Sequence, residues 1–152
     1  MSLILKGIAS FTGAFAFGVI FNAPTRLLAI CGFAGFTAWS TYTAVDFWLD
    51  DTMIASFIAA FTISVVAHLF ARSLKKPMIL FNIPGIIPLV PGSIAYRAMR
   101  SVVESDYASA MSYASQAFLV SGSVAMGLVF AEVLMQAVMN ILRKRKHRLS
   151  QR

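Results

Sequence analysis

The chain has 152 residues, of which 59% are hydrophobic and only 12% charged, and it carries a formal net charge of +7. About a quarter of the residues of a soluble domain are charged, so this composition excludes an ordinary soluble fold and points to an all-α, polytopic membrane bundle. At roughly 20 residues per span there is room for about five helices and little else.

The positive charge does not indicate nucleic-acid binding. Six of the thirteen basic residues lie within 143–152, and the others fall mostly in short loops. The single cysteine, Cys31, sits in an apolar run and rules out an intrachain disulfide. One cysteine and two distant histidines also make a poor metal set, so neither a metal nor another cofactor is expected.

In chain order, the first span is read at 3–21. Lys6 lies near its end, where its stem can carry the charge to the interface. Ser10, Ala14 and Gly18 recur every four residues and give a small-residue face for close packing. The turn Asn22-Ala-Pro-Thr-Arg26 separates it from a second span at 27–45, followed by the acidic Asp46–Asp51 loop with Trp48 placed for a headgroup boundary. The third span covers 52–71, with Ser56, Ala60, Ser64 and His68 on one face, and the basic loop Arg72–Lys76 follows.

Residues 77–96 form a broken span. Pro84, Pro88 and Pro91 fall within eight positions, and Gly85 and Gly92 follow two of them. Each proline removes a backbone donor and displaces the carbonyl four residues earlier. In hydrocarbon the freed groups need partners, so such backbone is expected only inside protein or along a wet cavity. Half-helix ends supply donors and unwound carbonyls supply acceptors, and a small carboxylate needs such groups. Asn82 and Ser93 add polarity beside the break. Asn82, Pro84, Gly85, Pro88, Pro91, Gly92 and Ser93 are therefore candidates for a substrate path, against the alternative of a merely kinked structural helix.

Residues 97–111 are more polar and read as an interfacial helix or structured loop. Arg97 and Arg100 are placed either to attract an anion at the mouth of a path or to form a solvated face. The last span covers 112–142, and 143–152 form a basic cytoplasmic tail, so that 1–142 make up the membrane domain. At 100° per residue, Ser121, Gly122, Ala125, Val129, Glu132, Gln136 and Asn140 share one arc of the last helix. That stripe is expected to face other helices or a cavity. A carboxylate inside an apolar helix is a candidate for proton coupling. The alternative for Glu132 is snorkelling toward the tail. His68 is the other coupling candidate because imidazole titrates near neutrality, its alternative being a helix-end marker.

The basic loops set an expected orientation. With Arg72–Lys76 and the tail in the cytoplasm, and every segment crossing, ten basic residues lie inside and three outside. The N-terminus is then external and the C-terminus cytoplasmic. Motifs for nucleophilic, metallohydrolase or phosphate-binding chemistry are absent from the sequence. A transporter rather than an enzyme is expected.

The run from Pro84 to Met99, Pro-Gly-Ile-Ile-Pro-Leu-Val-Pro-Gly-Ser-Ile-Ala-Tyr-Arg-Ala-Met, resembles the signature of the threonine/serine exporter family, and Phe17–Leu27 fits the same pattern. The resemblance is to the family's C-terminal membrane half, which in many bacteria is a separate small subunit. It implies proton-driven export of small polar carboxylates, either threonine and serine or dicarboxylates such as succinate, from the cytoplasm across the bacterial inner membrane. It also implies a larger partner subunit with the other membrane half, and it leaves a higher oligomer open. A structural subunit that stabilises a transporter without binding substrate is the alternative.

Overall fold

The computed structural model describes residues 3–149, with side chains from 3 to 141. The described residues are helical, without strands: α1 (Leu3–Ile20), α2 (Thr25–Leu49), α3 (Thr52–Leu74), α4 (Ile79–Ile86) running into a 3₁₀ turn (Ile87–Leu89), α5 (Gly92–Val103) and α6 (Tyr107–Leu149). Four helices are long and apolar enough to cross a membrane, and the bent pair Ile79–Leu89 and Gly92–Val103 brings the number to as many as five.

Small residues bring the first three helices together. Gly7, Ser10, Ala14 and Gly18 are the buried face of α1. The Ser10 hydroxyl donates to the Gly35 carbonyl of α2 at 2.9 Å. A Cβ at Gly35 would collide with the Ala14 side chain, and one at Gly32 would lie 2.8 Å from the Phe11 ring. In hydrocarbon, where apolar burial gives little driving force, close backbone approach supplies dispersion and interhelical hydrogen bonds instead. Ala34, Ala38, Ala59, Ala60 and Ile63 continue this small-residue packing between α2 and α3.

Polar residues mark where the helices stop. Asn22, Asp50, Lys75 and Ser105 all adopt left-handed backbone at helix ends, with φ between 51° and 60°. Asp51 caps α3 by accepting from the Met53 and Ile54 amides at 2.8 and 3.2 Å. Asp106 does the same for α6 through the Ser109 amide at 3.1 Å. Its hydrogen bonds with Ser109 hold its carboxyl below the usual aspartate range.

These caps revise the reading of 97–111. The second half-helix runs unbroken from Gly92 through Val103, and the last helix begins at Tyr107 rather than at 112. Ser101 is buried, and Ile94 and Ala98 are half-buried, whereas Met99, Val102, Val103 and Tyr107 are exposed.

The packing of α6 fixes the direction of the chain. A Cβ at Gly127 would lie 2.5 Å from the Phe57 carbonyl and 3.0 Å from the Ala60 side chain. Arg72 reaches Met139, its Nη1 lying 3.5 Å from the sulfur. Ala60–Gly127 and Arg72–Met139 have the same offset of 67 residues. Helices α3 and α6 therefore run parallel, and residues 75–106 return the chain from one end of the bundle to the other.

Candidate functional site

The break lies against the centre of the bundle. Pro84 is fully buried, Gly85 is buried, and Phe81, one turn earlier, has no exposed surface. Phe81 packs on Phe70 with ring centroids 6.0 Å apart. A Cβ on Gly85 would fall 2.6 Å from Ile63 Cγ1 and 3.4 Å from Ala34. The first half-helix is thus inserted between α2 and α3, and Gly85 allows its backbone to approach Ile63.

The prolines dictate the geometry that follows. Pro84 has no amide hydrogen, so the Leu80 carbonyl loses its helical partner. The Cys31 thiol of α2 lies 3.2 Å from that oxygen and donates to it. Four residues later Pro88 repeats the disruption, and the helix tightens into the 3₁₀ turn. Val90 donates to the Ile87 carbonyl that Pro91 leaves without its usual partner, at 3.3 Å. After this turn the axis changes by 48°. Pro91 occupies the N-cap of α5 with no side-chain hydrogen bond to the helix, so donors at the start of α5 remain available.

Two buried side-chain oxygens, Asn82 Oδ1 and Ser64 Oγ, have no hydrogen-bond partner among the described residues. Asn82 is on α4 and Ser64 on α3. The Phe81–Phe70 and Gly85–Ile63 contacts on either side bring these two helices together. Buried polar atoms are normally satisfied, so two orphans on the helices that meet at the break stand out. One turn along α3, His68 is half-buried and its Nδ1 lies 3.1 Å from the Ser64 carbonyl. A carbonyl only accepts, so Nδ1 is the donor in this contact.

The other candidates lie elsewhere. Gly92 and Ser93 are exposed at the start of α5, and Pro88 and Pro91 are half-buried. Arg97 and Arg100 are exposed, and Arg100 Nε is bound to Glu104 Oε1 at 2.8 Å.

The polar stripe of α6 does not turn inward as expected. Ser121, Gly122, Ala125, Val129, Glu132, Gln136 and Asn140 are all exposed. Packing against α3 and α5 is taken instead by a small-residue face that includes Val120, Val124, Gly127 and Ala131. Glu132 lies about 140° round the helix from Gly127, and there it accepts a long hydrogen bond of 3.4 Å from Gln136. Close approach of two backbones outweighed the polarity of the stripe in setting the rotation of α6.

Sequence reasoning did not assign Cys31 or Ser64 to the site. Cys31 gave no local signal, because its partner is a carbonyl 49 positions away. Ser64 was visible as part of the Ser56–His68 face, but not as an orphan.

A family model described as threonine/serine exporter, ThrE, matches residues 6–134, which include every element from α1 through the break to Glu132. The chain belongs to the threonine/serine exporter family. With its apolar helices, this exporter-family chain is accordingly a multi-pass membrane protein. It is also 33% identical over 92 residues to an uncharacterized protein of Haemophilus influenzae. That stretch is 60% of this chain but 31% of the relative, so the exporter-family chain matches about a third of the longer protein's length. No solved structure matches it.

Proposed function

We propose that the chain is one half of a two-component, proton-coupled exporter of small polar carboxylates, either threonine/serine-type amino acids or dicarboxylates such as succinate, in a bacterial inner membrane. The N-terminus is outside and the C-terminus cytoplasmic. In this reading the broken span lines the path. Asn82, Ser64 and the donors at the start of α5 offer hydrogen bonds to the substrate, and His68 takes up the coupled proton.

The observation that carries the two-component reading is the outward-facing stripe of α6. A membrane helix that presents Glu132, Gln136 and Asn140 to lipid bears a large desolvation cost, and intramembrane charges almost always face protein or water. A second membrane subunit covering that stripe removes the cost. Glu132 then becomes a buried carboxylate at the subunit boundary and the second candidate for proton transfer. The much greater length of the Haemophilus relative supports a functional unit larger than this chain. Counting the bent pair as one span, the spans also make an odd number. A partner of similar fold would then oppose this half in topology, as in inverted repeats.

The test is an export assay in cells lacking their own carriers. Intracellular threonine and succinate are loaded, and efflux is followed with this chain alone, a longer exporter-family subunit alone, and both together. Efflux against a gradient only in the combined cells, abolished by a protonophore, is the expected result. Efflux by this chain alone contradicts the two-component reading.

A further inference from the structure

We propose that Lys6 is a substrate-binding cation, receiving the carboxylate of the exported solute in a groove on the far side of the break; the proposal rests on the export reading above. The groove holds about 310 Å³ and is lined by Lys6, Ser10, Gly13, Trp39, Ile87 and Pro88, together with Ala9. That is at the lower end of the roughly 300–1,000 Å³ of ligand clefts. Its wall is the 3₁₀ turn itself, so the lysine opens onto the same irregular backbone that the prolines create.

Three observations favour a ligand over a merely snorkelling side chain. First, Lys6 is the only charged group lining the groove, and no carboxylate lines it. Among the described residues the single ion pair is Arg100–Glu104, so Lys6 has no internal counter-ion. Second, the space beside Gly13 on the groove wall is open: a Cβ there would meet nothing within 4 Å. Third, the levels agree. Pro88 packs at Gly35, whose carbonyl holds Ser10, and Lys6 is one turn of α1 beyond Ser10, about 6 Å along the axis. A flexible four-carbon stem spans that interval.

In the proposed orientation Lys6 is on the external side of the break, where the solute leaves. Arg97 and Arg100 do not line the groove, and Arg100 already has a carboxylate. A small carboxylate and a lipid phosphate present similar anionic chemistry to a lysine. Only the first makes solute affinity depend on it.

The test uses membrane vesicles containing this chain together with the longer subunit, and measures exchange of external succinate and threonine. Lys6→Gln should raise the half-saturating external concentration about tenfold, the worth of one charge-assisted hydrogen bond. Lys6→Arg should restore it to within about twofold, and Lys76→Gln in the opposite loop should leave it unchanged. Should Lys6→Gln fail to accumulate, Lys6→Cys can be assayed before and after an aminoethyl thiosulfonate returns the positive charge. Cys31, fully buried, is not expected to react. Recovery of affinity supports the assignment. Unchanged half-saturation in Lys6→Gln, or in unmodified Lys6→Cys, overturns it and leaves Lys6 as a lipid-phosphate anchor. Vesicles in which the wild type exchanges neither solute would instead contradict the export reading.

Discussion

At the scale of single residues, Cys31 shows how a broken helix is kept tolerable in an apolar surrounding. Pro84 strips the Leu80 carbonyl of its helical donor, and the thiol of a neighbouring helix replaces it at 3.2 Å. A thiol is a weak donor, so a hydroxyl should serve as well or better. Cys31→Ser is expected to keep the thermal midpoint of the detergent-solubilised protein at or above the wild-type value. Cys31→Ala, which leaves a buried acceptor unpaired, should lower stability by about 1 kcal/mol. Equal midpoints for the two variants would mean that the contact contributes packing alone. None of this was legible in the sequence, where Cys31 appears only as one more apolar position. The same holds for Lys6, whose charge is plain but whose groove forms only when α1, α2 and the 3₁₀ turn meet.

At the scale of elements, the sequence was informative because its signals are local. Proline geometry is intrinsic to the residue, so Pro84, Pro88 and Pro91 announced the break. The four-residue spacing of Ser10, Ala14 and Gly18 likewise announced the face of α1 that packs. The α5–α6 boundary was harder to place. It depends on Ser105 adopting a φ of 60° and on Asp106 capping the next helix, which are single-residue events without periodicity. The rotation of α6 was misjudged for a related reason: polarity suggested inward, while the close approach at Gly127 required the opposite.

The two Pro-Gly glycines now separate by role. Gly85 is a packing position and Gly92 is open. Gly85→Ala should destabilise the bundle by about 1–3 kcal/mol through overpacking against Ile63, and Ile63→Ala in the same chain should recover most of the loss. Gly92→Ala should be neutral or stabilising by up to about 1 kcal/mol, since it lies at a helix start with room for a methyl group. Denaturation of the purified protein reads all three. A Gly85→Ala protein as stable as the wild type would show that the contact with Ile63 relaxes freely.

At the scale of the whole molecule, the parallel course of α3 and α6 has the largest consequence. It requires the residues between them to traverse the bundle, so the break lies within a passage from one end to the other rather than in a loop that dips and returns. The outward stripe of α6 and the open groove at Lys6 are the two features on which the proposed two-component reading rests. Overall helical class and family were legible from composition and from one proline-rich run. The outward position of Glu132 was not, because it is recognised only once the packing face of α6 is known.

Replacing Asn82 in the two-subunit complex tests the central claim most directly, because its Oδ1 is a buried orphan at the break and its side chain is close in size to leucine. Asn82→Leu should leave the amount of complex in the membrane unchanged and reduce threonine or succinate efflux at least tenfold, since a buried path loses a polar partner for its solute. Wild-type efflux from an intact Asn82→Leu complex would contradict the account, and the broken span would then be a structural kink rather than the lining of an export path.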